Sequence, residues 1–253
     1  MNLIGLKQLI AHLDILLQPS LISDSCPNGL QVQGAPGIGH IGTAVSASLE
    51  TIQRAVDLGV QTLIVHHGLF WTGDNFEIVG SKREKLSLLL LNNISLLAYH
   101  LPLDLHKQYG NNWRAAQEMG WTELEPFGMY RGIPIGVRGT FSSCSVKDFQ
   151  WKLEEYYEHP ATCALGGNQI ISSAALVSGG AYKSLQEAAA ADVDCFITGN
   201  FDEPAWHQAF EEKINFFAMG HSATERIGPR ALGEHLQDHF QVKTTFIDVS
   251  NPF

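Results

Sequence analysis

The sequence predicts an α/β protein made of two duplicated α/β halves, with mainly parallel sheets flanked by helices. Two observations lead there. Apolar segments of strand length, rich in β-branched residues, alternate with amphipathic segments of helical period, the pattern of strands buried on both faces between helices. The order of those segments then recurs once, roughly 120 to 140 residues further on.

Leu6, Leu9, Ile10, Leu13, Leu16 and Leu17 recur at helical spacing and stop before Pro19. A turn-rich stretch follows, with Pro27-Asn28-Gly29 ahead of Leu30-Gln31-Val32. Ile41 to Ser48 reads as a strand, Glu50 to Leu58 as a helix closed by Gly59, and Val60 to Val65 as the next strand. This βαβ unit implies parallel pairing with a right-handed crossover. Ser81 to Leu91 is a further helix, Ile94 to Tyr99 a further strand, and Asn112 to Met119 a short helix. The chain then begins again. Val146–Tyr157 echoes the first helix, Leu176-Val177-Ser178-Gly179-Gly180 echoes Ala44-Val45-Ser46-Ala47-Ser48, Leu185–Ala191 is the next helix, and Val193–Ile197 and Ile214–Ala218 echo the two later strands. The repeats divide at about residue 125, giving 1–125 and 126–253.

The repeats differ where chemistry would sit. The first carries His66-His67 at a strand end and the second has Gly199-Asn200 there. Beyond the later strand, the first has His100 and then Asp104, and the second has His221 and then Glu225. Such asymmetry points to one shared site. His66, His67, Asp104, His221 and Glu225 all fall at or beyond the C-terminal ends of predicted strands, where open α/β sheets place ligands. Neighbouring strand residues face opposite ways, so an adjacent His-His pair suits two ions better than one. Singly, each residue reads equally as a surface acid or a hydrogen-bonded histidine; the joint placement favours a metal site. Imidazole and carboxylate without cysteine suit catalytic Zn, Mn or Fe. Five ligands fit two ions sharing a carboxylate, about 3.5–4 Å apart.

Other properties bound the function. With 253 residues, 45% hydrophobic and 17% charged, the chain is long enough to bury a sizeable core. A formal charge of −10 argues against a general nucleic-acid binder or an anionic-membrane binder. Two divalent ions less two carboxylates would still leave a local charge of about +2, enough to attract a small anionic substrate. Cys26, Cys144, Cys163 and Cys195 are far apart, form no CxxC pair and follow no secretory leader, which reads as a reduced, cytoplasmic protein. No apolar run approaches membrane-spanning length.

The stretches His66-His67-Gly68, His100-Leu101-Pro102-Leu103-Asp104 and Gly220-His221-Ser222-Ala223-Thr224-Glu225-Arg226 resemble the signature of the NIF-three-like dinuclear-metal proteins, also called the GTP cyclohydrolase 1 type 2 family. Asn28-Gly29-Leu30-Gln31-Val32 and Ile197-Thr198-Gly199 match as well, so the resemblance runs almost end to end, to the shorter bacterial-type members. It implies an interlocked two-part fold in which residues 214–253 help complete the metal site of the first repeat. It also implies a ring-shaped homohexamer, and two metals held by His66, His67, Asp104, His221 and a bridging Glu225. The implied reaction is metal-dependent hydrolysis that opens the purine ring of GTP with release of formate. A phosphoesterase or nuclease, or a non-catalytic metal-binding hexamer with a regulatory role, would use the same centre. Ser222 and Asn200 depart from close relatives, which can carry a histidine and an acid there; neither is among the five ligands.

His100 is a candidate proton carrier, or else a strand-end histidine bonded to backbone. Arg226 is a candidate phosphate or carboxylate contact, or else a helix-surface charge. Lys82 and Arg83 read as a solvated helix start. Ser178-Gly179-Gly180 lacks the full phosphate-loop pattern and reads as a tight turn. His12, His40, His106, His159, His207, His235 and His239 have no supporting context and read as structural.

Overall fold

A computed structural model describes residues 3–253. A short strand β1 (Ile4–Gly5) leads into α1 (Leu6–Leu17), then β2 (Gly29–Val32), β3 (Gly37–Ile38) and β4 (His40–Ser46). Next come α2 (Leu49–Asp57), β5 (Thr62–His67), α3 (Gly80–Leu91), β6 (Ser95–Ala98) and the single turn α4 (Leu101–Asp104). After α5 (Asn111–Glu118), strands β7 (Thr122–Tyr130) and β8 (Ile133–Ser145) precede α6 (Val146–Tyr157), β9 (Thr162–Leu165) and β10 (Ile170–Leu176). The chain continues through α7 (Leu185–Ala190), β11 (Cys195–Thr198), α8 (Glu203–Glu211), β12 (Asn215–Ala218), α9 (His221–Thr224), α10 (Ile227–Phe240) and β13 (Lys243–Phe246).

Local chemistry sets the helix boundaries. Gln18 turns left-handed at φ 48°, just before Pro19, and its N–H closes α1 on the carbonyl of Asp14. Ser48 caps α2 by accepting from the Thr51 amide at 3.0 Å, and Ser145 caps α6 by accepting from the Asp148 amide at 3.1 Å. Gly59 follows α2 at φ +67°, in the left-handed conformation expected of it.

Two compact units result. One runs to Leu103 and includes Gly228–Ser250; the other comprises Asp104–Ile227 with Asn251–Phe253. The first contains a five-stranded sheet of order β13-β4-β5-β6-β2, parallel except for the β2 edge. Its strand residues alternate between two cores. Leu63, Val65 and Leu96 pack with Ile52 and Ala55 of α2 and Leu89 of α3, while Ile64 and Leu97 pack with Leu9 and Leu13 of α1 and Leu232 and Leu236 of α10. The second unit's sheet has the order β7-β8-β10-β11-β12-β9. Ile197 and Phe217 face Phe149 and Leu153 of α6, and Phe196 and Phe216 face Ala205 and Ala209 of α8.

The repeat is visible in both sheets: β4-β5-β6-β2 in one is matched by β10-β11-β12-β9 in the other. The expectation of mainly parallel pairing holds for the first sheet, whereas the second is mixed, because β7 and β8 form an antiparallel hairpin beside β10. Its turn has Arg131 at φ 48° and Gly132 at φ +83°, the two positive φ angles that a tight hairpin of matching twist requires. Thr122-Glu123-Leu124-Glu125 is mostly exposed and carries little apolar alternation, so periodicity marks no strand there.

Packing in the α1 core makes a direct prediction. Leu13 is fully buried, and Leu13→Ala should lower unfolding free energy by about 2–5 kcal/mol in urea titration. Ile15, 78% exposed on the same helix, should change stability by no more than about 0.5 kcal/mol as Ile15→Ala.

Candidate metal centre

In the first unit, β5 ends on His66 and His67, and His100 follows β6 by two residues. The three histidines each offer a ring nitrogen within 4.8 Å of the others, a group able to hold a metal ion. Every one of these rings is oriented through Nδ1. His66, fully buried, places it 3.2 Å from the Tyr99 carbonyl. His67 places it 3.0 Å from Ser46 Oγ, directly across the β4–β5 ladder. His100 places it 2.8 Å from Asp24 Oδ1. A second partner that fixes the ring is the arrangement metal-ligating imidazoles adopt.

Asp24 is the hub beneath His100, and sequence reasoning misses it. Its Oδ1 takes the Cys26 amide and the His100 ring, while its Oδ2 takes the Asn28 side chain and the Leu101 amide. Burial alone would raise its pKa. The bonds to His100, Asn28 and the Cys26 amide outweigh that and hold the carboxylate well below its usual range. Asn28 also accepts the His100 amide at 2.7 Å, which gives the Asn28-Gly29 motif its place in the site. A single acid in a turn-rich loop carries no periodic signal.

Gly68 acts by making space rather than by a left-handed backbone. It has no positive φ, and a Cβ there would stand 2.4 Å from the Gln31 side chain. That amide is fixed between the Leu69 N–H and the Pro27 carbonyl. Trp71, a second residue that sequence reasoning does not single out, donates its Nε1–H to the Gly68 carbonyl. Its ring lies 5.1 Å from that of His100 and 5.9 Å from that of His67.

In the second unit, Asp104 closes α4 and is buried. Its Oδ1 accepts from Asn111 Nδ2 at 2.8 Å and from Ser178 Oγ at 3.0 Å. A carboxylate oxygen of Asp104 lies within 4.8 Å of one on Glu225, and Glu225 Oε1 is 3.2 Å from His221 Nε2. The Ser178-Gly179-Gly180 turn shapes this cluster. Ser178 orients Asp104, and Gly179, at φ +67°, leaves room for Glu225, because a Cβ there would lie 2.3 Å from Oε1 and 3.2 Å from His221 Nε2. Thr224 ties the same turn down, its hydroxyl accepting the Gly179 amide. The donor set and this cradle fit a hard or borderline divalent cation.

Other candidates sit elsewhere. Arg226 donates to the Tyr157 carbonyl and lies 3.9 Å from Glu158, so it engages the end of α6. Lys82 donates to the Asn75 carbonyl at the start of α3. His159 bonds the carbonyls of Pro160 and Pro252, His40 bonds Thr245, and His106 accepts the Gln108 and Tyr109 amides.

Residues 4–252 match the family profile described as Duf34/NIF3 (NGG1p interacting factor 3). A Chlamydia pneumoniae protein named GTP cyclohydrolase 1 type 2 homolog is 50% identical over 253 residues, covering 98% of this chain and 100% of that protein. Among solved structures, one described as protein ybgI, of unknown function, has a TM-score of 0.94 at 36% identity, covering 99% of this chain and 100% of its own. A Thermus thermophilus protein gives a TM-score of 0.92 at 32% identity, with the same coverage.

The depressed Asp24 pKa sets a pH dependence. The unfolded carboxylate titrates at about 4, so Asp24 contributes its stability in full above that pH and loses it as acid protonates the folded state. In guanidinium melts, Asp24→Asn should be less stable than the parent at pH 7, and the gap should shrink steadily below about pH 4. A gap that stays constant down to about pH 2 would contradict this.

Proposed function

Because this chain belongs to the Duf34/NIF3 family, we propose that it is a metal-dependent hydrolase whose metal ligands are His66, His67, Asp104, His221 and Glu225. The observation that carries the reading is the support beneath the donors. His66, His67 and His100 are each fixed at Nδ1, and Asp104 is held by Asn111 and Ser178. Hydrogen bonding of that kind pre-orients the ligand atoms.

The proposed centre takes two divalent transition-metal ions, Zn, Mn or Fe, with Glu225 shared between them. When bound, such a pair supplies Lewis acidity and lowers the pKa of water towards neutrality. His66 and His67 leave β5 on successive residues and would serve separate ions. Asp104 and His221 would complete their shells. His100 has a different part: with its Nδ1 proton held by Asp24, its Nε2 is the acceptor that takes a proton from substrate or water. Asp24 positions that ring. Arg226 is already engaged at α6, and contact with an anionic group of the substrate would require its release from the Tyr157 carbonyl.

For the substrate we favour a nucleotide, opened at the purine ring with formate release as in the reaction of the family's name. The net positive charge of a loaded centre would attract its phosphates despite the acidic chain. The active form is a ring-shaped homohexamer. Its compartment is the cytoplasm, consistent with free Cys26, Cys144, Cys163 and Cys195. No helix among the described residues is long and apolar enough to cross a membrane.

Elemental analysis of protein purified without chelator should give about two ions per chain, the stoichiometry of a carboxylate-bridged pair. Glu225→Gln and Gly179→Ala should both lose metal, whereas Arg226→Ala should keep it; equal occupancy in all three would remove the shared role of Glu225. Metal-reconstituted enzyme incubated with GTP should release formate. Release of phosphate alone would favour a phosphoesterase, and no turnover on any nucleotide or phosphodiester would favour a binding protein. Light scattering should give six times the chain mass.

A further inference from the structure

The segment that leaves β5 after Gly68 carries a fixed aromatic side chain that the proposed chemistry does not use. The Leu69 amide donates to Gln31 Oε1 at 2.8 Å, the Trp71 amide to Asp74 Oδ2 at 3.0 Å and the Thr72 amide to the Ser25 carbonyl at 2.7 Å. The Asp74 amide returns to the Trp71 carbonyl at 3.1 Å, closing a turn whose third residue, Gly73, has φ +94°. The indole is held as well. Its Nε1–H donates to the Gly68 carbonyl at 3.2 Å, so its one polar group is satisfied within the segment and only apolar ring remains. Trp71 is half-buried: part of it packs against the core that includes Leu63, Val65 and Leu89, and part stays in solvent. Its ring lies 5.9 Å from that of His67 and 5.1 Å from that of His100, at 78° to the latter.

We propose that Trp71 is the platform on which the purine base of the substrate stacks, and so a residue that selects a base-bearing substrate over a bare sugar phosphate. The proposal rests on the nucleotide reading above and adds the group that recognises the base. Metal ligands and bound ions recognise charge and lone pairs, not flat rings. An indole face is what a purine needs: it is planar, and its negative π surface attracts electron-poor heteroaromatic rings. Because Trp71 is already fixed, stacking costs it little conformational entropy. A base laid against the exposed part of the indole lies beside His67 and His100. The ring to be opened is then next to a proposed metal ligand and to the proposed proton acceptor. A π face makes no hydrogen bonds, so Trp71 holds purines as a class and does not itself choose guanine over adenine.

The test uses the full-length, metal-reconstituted protein with two probes, guanosine and ribose 5-phosphate. In equilibrium dialysis, Trp71→Leu should weaken guanosine about tenfold or more, the scale of one base–aromatic stack, and leave ribose 5-phosphate unchanged. Its metal content should equal the parent's, because Trp71 is no ligand. Trp71→Phe keeps a ring to stack on and should retain most of the guanosine affinity. The chain has five tryptophans, so fluorescence separates this one from the rest. Guanosine should quench the parent's emission, and Trp71→Phe should remove most of that quench. The proposal is overturned if the parent does not bind guanosine, if Trp71→Leu binds it as well as the parent, or if that variant loses both probes equally or loses metal. An undiminished quench in Trp71→Phe overturns it too, and that variant decides if Trp71→Leu fails to fold. Failure of the hydrolase reading looks different: guanosine still binds through Trp71 while GTP releases no formate.

Discussion

Imidazoles and carboxylates can be buried side by side only if their remaining polar edges are satisfied, and much of the local structure around the candidate centre answers to that constraint. Asp24 meets it with four donors drawn from a loop, a strand end and the α4 turn. Those same bonds fix the His100 ring. Asp104 meets it with Asn111 and Ser178, which couples α5 and the turn after β10 to one carboxylate. Such networks are costly when half complete, so the loops that supply them are as constrained as the strands.

Small residues make the corresponding room. Gly68 and Gly179 stand where a single methyl group would collide with Gln31 and Glu225 respectively, and only Gly179 also needs a left-handed backbone. Two glycines that look alike in sequence therefore act for different reasons. One admits a neighbouring side chain; the other combines a turn with a cradle for a candidate ligand.

Much of this was legible in the chain itself. The strand–helix alternation, the end of β5 at His66-His67, and the placement of Asp104 and His221 just beyond β6 and β12 follow from apolar periodicity and repeat order. Asp24 and Trp71 were not legible, because residues in irregular loops have no period to place them and act only through tertiary contacts. The β7–β8 hairpin escaped for the opposite reason: its strands are regular, but exposure along Thr122–Glu125 removes the apolar alternation that marks a strand. Pairing of β13 beside β4 also lies beyond local pattern, since nothing in Lys243–Phe246 names a partner some two hundred positions earlier.

That last pairing has a consequence for synthesis. The first sheet needs β13 at its edge, and its α1 core needs Leu232, Leu236 and Phe240 of α10. A nascent chain therefore emerges with most of the first unit in hand but unable to close it, while nearly all of Asp104–Ile227 can assemble from residues already made. The middle of the polypeptide should mature on the ribosome before its beginning does. Until α10 arrives, the α1 face and the free side of β4 are surfaces for a chaperone to shield.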